Sequence, residues 1–154
     1  MTLKEGDPAP DFEMQDGTGK RWTLADLHGK KVILYFYPAD DTPGCTAEAC
    51  DFRDSQQAFL DENYVVLGVS PQGAESHRAF SEKFSLNFPL LIDEDMSVAG
   101  AYGAVREKPG DFEGIPLLVM RSTFVIDESG TIEHALYGLN GRGHVADLRA
   151  LLAI

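Results

Sequence analysis

Both cysteines of this chain, Cys45 and Cys50, lie in one stretch, Pro38 to Asp54, reading PADDTPGCTAEACDFRD. Thr42-Pro43 has the form of a helix start: a capping hydroxyl, then proline at the first helical position. That start places Cys45 in the first turn of a helix continuing to about Leu60. Unpaired N–H groups and the positive end of the helix dipole favour thiolate over thiol there. A thiol at the reference pKa of about 8.5 is only about 3% ionised at pH 7. Lowered to about 6, it would be roughly 90% thiolate, a gain of about thirty-fold in the nucleophilic form. Oxidation of such a sulfur leads first to sulfenic acid.

A buried core position is the usual fate of a free cysteine. Pro43-Gly44 argues otherwise for Cys45, because this dipeptide is turn chemistry and not a core-facing helix interior. Metal ligation is a competing use of a cysteine pair. The Cys-x-x-x-x-Cys spacing is not a zinc spacing, and His28, His77, His134 and His144 form no HxxxH pair. Asp93-Glu94-Asp95 fails as a calcium loop, since Val98 and Ala104 occupy the positions that need glycine and glutamate. Gly138-x-x-Gly141-x-Gly143 inverts the dinucleotide-binding order and reads as loop. The two sulfurs cannot bond within a regular helix. Residues five apart are offset by about 7.5 Å along the axis and about 140° around it, so their Cα atoms stand about 8 to 9 Å apart. A disulfide needs about 7 Å or less. Cys50 is therefore expected unbonded in the reduced protein, facing inward among apolar neighbours.

The elements that position these residues follow from pattern. Asp11–Gln15 and Lys20–Thr23 flank Asp16-Gly17-Thr18-Gly19, a hairpin with a glycine-bearing turn. Thr23 caps a short helical turn through Leu27. Val32–Tyr37 and Tyr64–Ser70 are apolar runs that read as buried strands. Between them Phe52, Phe59 and Leu60 mark the apolar positions of the cysteine helix. Glu75–Phe84 reads as a helix, Phe88–Ile92 as a short strand and Met96–Tyr102 as a short helix. Arg106 to Pro116, with two prolines and two glycines, reads as a loop. Ser122–Ile126 and Thr131–Tyr137 make a second hairpin, and His144–Ala153 a closing amphipathic helix with Val145, Leu148, Leu151 and Leu152 apolar. Strands alternating with helices, then a hairpin and a helix, predict an α/β sandwich on a mixed sheet.

At 154 residues the chain suits one domain, residues 1–154, with 44% apolar and 25% charged residues. A net charge of −12 argues against nucleic acid or an anionic membrane as partner. MTLKEGDPAP has no hydrophobic signal core, and no 18-residue apolar run exists. A cytosolic location is expected, where a cysteine pair is more often redox-active than structural.

Pro38, Thr42 and Cys45 together match a Pro-x-x-x-Thr-x-x-Cys signature, and by it the chain resembles the peroxiredoxins. Glu48-Ala49-Cys50 is similar to the Q-type, or bacterioferritin comigratory, subfamily. Arg121-Ser122-Thr123-Phe124-Val125-Ile126-Asp127 resembles the second family motif, and Gly143-His144-Val145 a subfamily feature near the end. The resemblance implies a thioredoxin-like fold: a mixed central sheet flanked by helices, with an N-terminal β-hairpin. It implies reduction of hydrogen peroxide and organic hydroperoxides by Cys45, with the sulfenic acid resolved by Cys50 as a disulfide. Thioredoxin or a similar dithiol would recycle it, in a monomer needing no haem, flavin or metal. By the same resemblance Thr42 orients the peroxide, Pro38 shields the sulfur, Glu48 orients Arg121, and Arg121 faces Cys45. Each also has an ordinary reading: helix cap, strand end, solvated helix acid and surface arginine. A thioredoxin-like disulfide reductase is a rival reading, though it normally carries Cys-x-x-Cys. A redox sensor using the same disulfide as a switch is another. The stretch Arg106–Leu118 departs from the subfamily, lacking its lysine-methionine-tyrosine-glycine run.

Overall fold

The computed structural model describes residues 2–112 and 115–154. Strands β1 (Glu13–Gln15) and β2 (Arg21–Thr23) form the N-terminal antiparallel hairpin. Its turn is organised by Asp16, which accepts hydrogen bonds from the Thr18 N–H, the Thr18 hydroxyl, the Lys20 N–H and the Trp22 indole. A 3-10 turn, Ala25–Leu27, follows, with the Thr23 hydroxyl accepting from the Asp26 N–H.

Five strands make the central sheet: β3 (Lys31–Phe36), β4 (Tyr64–Ser70), β5 (Leu90–Ile92), β8 (Ser122–Ile126) and β9 (Ile132–Leu136), in the order β5-β4-β3-β8-β9. β3 pairs in parallel with β4 and antiparallel with β8, so the sheet is mixed. The continuous apolar run of β3 is explained by burial on both faces. Val32, Leu34 and Phe36 join one core with Leu67, Phe124 and Tyr102. Ile33, Tyr35 and Tyr37 point the other way, into a core built by helices α1 (Pro43–Asp61), α2 (Ala74–Phe84) and α4 (His144–Leu152). Helix α3 (Ser97–Ala101) lies with the N-terminal hairpin on the first face. The acidic run before it caps this short helix: Asp93 accepts from the Val98 and Ala99 N–H groups.

Two readings of the sequence need correction. Residues 106–112 and 115–116 are strand and not loop. β6 (Val105–Phe112) and β7 (Ile115–Val119) pair as a separate two-stranded antiparallel sheet, with Glu113 and Gly114 outside the described residues. The prolines are tolerated because this ribbon has only edge strands, and Pro109 falls within the register shift between Val105 and Gly110. Leu60 and Leu151 are about half exposed and lie outside the apolar faces of their helices. Among the described residues, no helix is long and apolar enough to cross a membrane.

Candidate active site

The site forms where β3 gives way to α1. Pairing of Phe36 with Ser122 leaves Arg121 just beyond the end of β3, where the chain turns toward Cys45. Arg121 Nη2 donates to Cys45 Sγ at 3.2 Å, and Nη1 donates to Glu48 Oε1 at 2.6 Å. Cys45 is 1% exposed and Glu48 fully buried, so the three charged or ionisable groups meet away from bulk water. Burial pulls the Arg121 pKa down, but Glu48 and Cys45 reverse this and hold the guanidinium firmly cationic. The Glu48 carboxyl is pushed up to about 7 by burial, with Arg121 opposing. Its second oxygen, Oε2, has no hydrogen-bond partner among the described residues. The Arg121–Sγ contact gains strength when the sulfur is anionic, since a charge-assisted bond is roughly twice as strong as a neutral one.

Thr42 stands at the N-cap position with extended backbone, and Pro43 follows at the helix start. Its side chain does not cap. The hydroxyl donates to the Ala39 carbonyl at 3.0 Å, closing the Pro38–Thr42 turn instead of reaching a helix N–H. The first helical bond runs from the Thr46 N–H to the Thr42 carbonyl. The Gly44 and Cys45 N–H groups thus lack a protein acceptor among the described residues and remain available at the helix mouth. The lone pairs of the Thr42 hydroxyl are free to accept. Pro38 is buried at the strand exit.

Cys50 is apart from this group. It is half-buried in an open groove shared with Phe84 and Arg142, and both cysteines are free thiols. The expected inward, apolar setting is therefore corrected: the rotation of about 140° between the two positions carries Cys50 to the flank of α1.

Several groups take roles here that the sequence did not assign to them. Asp40 anchors the turn that carries Thr42. It accepts from the Tyr37 hydroxyl (2.6 Å) and the Ser76 hydroxyl (2.8 Å) and bonds His77 Nδ1 (2.7 Å). Its own N–H donates to Gln72 Oε1. The other nitrogen of His77 lies 2.9 Å from the Leu91 carbonyl, which can only accept. The Nε2 atom therefore donates to that carbonyl, and the opposite edge of the ring meets Asp40. His144 is bonded to Thr123 at 2.8 Å, and burial, then the charge of Arg121, push its pKa down to about 4. Gly141 lies against Gly44, backbone to backbone. A lone Asp, His or Gly carries no signal of such contacts in one sequence, since the partners lie 37, 21 and more residues away.

Comparison with known proteins agrees with this geometry. Residues 5–135 match the AhpC/TSA family. A putative peroxiredoxin of Mycobacterium tuberculosis is 45% identical over 99% of this chain and 96% of its own length. Among solved structures, a PrxQ variant from Xylella fastidiosa superposes with a TM-score of 0.90 at 29% identity, covering 99% of this chain and 97% of that one. The Xanthomonas campestris Bacterioferritin Comigratory Protein, whose structures address alkyl peroxide reduction activity, gives 0.83 at 31% identity over 92% of this chain and 90% of its own. This chain therefore belongs to the AhpC/TSA family, among its peroxiredoxins of the Bcp/PrxQ kind, and has their thioredoxin-like fold.

Proposed function

We propose that this chain is a two-cysteine thiol peroxidase that reduces hydrogen peroxide and organic hydroperoxides and is recycled by thioredoxin or a similar dithiol. The observation that carries this reading is the guanidinium of Arg121 on Cys45 Sγ at the N-terminal turn of α1. A hydroperoxide reaching that turn meets the Thr42 hydroxyl, the Cys45 N–H and Arg121. The thiolate attacks the terminal oxygen; the S–O bond forms as the O–O bond breaks. Cys45 becomes sulfenic acid and the departing alkoxide or hydroxide takes a proton from water. Arg121 offsets the charge that develops on the leaving oxygen.

Cys50 then attacks the sulfenic sulfur, forming the disulfide and releasing water. The half-exposed groove around Cys50 supports entry of an external dithiol, which is oxidised as it returns both cysteines to thiols. Helix geometry requires α1 to unwind around Thr42–Arg53 before the two sulfurs meet. The protein acts in the cytoplasm as a monomer, an assignment that fits the intramolecular position of Cys50. Peroxide-dependent oxidation of reduced thioredoxin, comparing wild type with Cys45→Ser, tests the proposal. Turnover by wild type and none by the variant is expected; substantial turnover by Cys45→Ser would sink it.

A further inference from the structure

We propose that Gly141 is a positioning residue that clamps the first turn of α1 in its reactive form, and that Cys45 reaches Cys50 only when this clamp releases. The proposal rests on the peroxidase reading above for its catalytic consequences, although the clamp itself is a property of the reduced protein.

Gly141 is buried while its neighbours Asn140 and Arg142 are exposed. A Cβ built on it would lie 2.8 Å from the Gly44 carbonyl carbon and 3.1 Å from the Gly44 Cα, and would overlap the Gly44 oxygen outright. The obstacle is backbone, which cannot swing aside as a side chain does. Gly141 is not among the residues with positive φ, so close approach and not backbone conformation is what calls for glycine here.

Gly44 is itself crowded by Arg121. A Cβ on Gly44 would come within 3.1 Å of Arg121 Nη2. The peptide just before Cys45 is therefore approached closely by both the guanidinium and the Gly141 backbone, and neither glycine has a side chain to separate them. The clamping loop is itself fixed at both ends. The Leu139 N–H donates to the Arg121 carbonyl at 2.9 Å, His144 is bonded to buried Thr123, and Val145 and Leu148 sit in the core. A bulkier residue at 141 has little room to retreat and must press on the first turn.

The two chemical steps need opposite states of that turn. Attack on peroxide needs it wound, with Cys45 on Arg121; disulfide formation needs it unwound. Any change that destabilises the wound state acts with opposite sign on the two steps. A residue serving only general stability would not separate them.

The test is Gly141→Ala. In the reduced protein, without peroxide, the Thr46 amide donates the first bond of α1, and its hydrogen exchange should quicken by about tenfold. Unchanged exchange overturns the clamp whether or not the protein proves to be a peroxidase. In single-turnover stopped flow with hydrogen peroxide, Cys45 oxidation should slow by about tenfold, while disulfide formation quickens and the peroxide needed to over-oxidise Cys45 rises severalfold. If wild type turns over but the variant changes neither rate, or slows both, the proposal fails. If wild type itself consumes no peroxide, the peroxidase reading fails and the amide exchange alone decides. Should Gly141→Ala not fold, the wild type serves: forming the disulfide with diamide should speed tryptic cleavage after Arg142. Equal cleavage in the reduced and disulfide states would refute the coupling.

Discussion

Cys45 and Cys50 share one helix, five residues apart, yet their surroundings differ in every respect that governs sulfur chemistry. Cys45 is 1% exposed, touches the partly buried guanidinium of Arg121 and lies beside helix N–H groups that have no acceptor among the described residues. Cys50 is half-buried, in an open groove, with no hydrogen bond to its sulfur among the described residues. The first setting stabilises negative charge on the sulfur. The second leaves the sulfur open to solvent on one side and gives it little activation. Reactivity is thus set by the tertiary partners of a turn, not by the residue type, and the spacing that separates the two environments also forbids the disulfide until the helix opens.

The harshest way to break this contrast is to remove each sulfur in turn. Cys45→Ser should lower thioredoxin-linked peroxide turnover by about a thousandfold or more, because serine keeps the shape but not the thiolate. Cys50→Ser should consume one equivalent of peroxide, then stall as sulfenic acid and over-oxidise, as mass spectrometry would show. If Cys50→Ser lost the first equivalent too, the division of labour would be wrong.

Arg121→Ala sharpens the contrast by stripping Cys45 alone of its partner. Oxidation of Cys45 should slow by about a hundredfold, the usual cost of one donor to a developing anion. Alkylation of Cys50 should stay within about twofold, since Arg121 does not touch it. Equal slowing at both sulfurs would point to a general disturbance of α1.

Asp40 tests whether the Thr42 turn must be held for Cys45 to work. Asp40→Ala leaves His77 without its buried partner and should cost about 3 kcal/mol of stability and raise KM for peroxide by about tenfold. Asp40→Asn should stay near wild type. Its amide oxygen still accepts from Tyr37, and its NH₂ donates to a neutral His77 Nδ1. Similar losses in both variants would show that charge, and not position, is what Asp40 supplies.

The smallest effect is expected at Glu48. Its folded pKa, about 7, lies above the ordinary 4.5, raised by burial against the pull of Arg121. The native state therefore holds a proton that the unfolded chain has released, and this group's contribution to stability falls as pH rises from about 4.5 to about 7. Glu48→Gln keeps an acceptor for Arg121 and should retain peroxide reduction within about threefold. Urea unfolding between pH 4 and pH 8 should show the wild type losing stability relative to the variant across that window. Parallel curves would mean that Glu48 does not titrate there.

Much of this arrangement was legible in the chain. Thr42-Pro43 marks the start of α1, the apolar runs mark β3 and β4, and the second hairpin is written in Asp127-Glu128-Ser129-Gly130. These signals are local, arising from capping, periodicity and turn chemistry within a few residues. The misreading of residues 106–116 has the same origin. Proline and glycine forbid a central strand but not an edge ribbon, and only pairing decides which one is present.

Sequence alone determined that a cysteine stands in the first turn of a helix behind a buried strand, and that five residues separate it from its fellow. Both follow from covalent order and helix geometry. Tertiary structure decided the rest. Sheet register brings Arg121 across to Cys45, burial lifts the Glu48 carboxyl to about 7, and the Thr42 hydroxyl turns away from its cap toward Ala39. Asp40 with His77, and Gly141 with Gly44, hold the turn from segments far along the chain. Contacts of that kind depend on distances between segments that folding alone brings together, and no local pattern of residues encodes them.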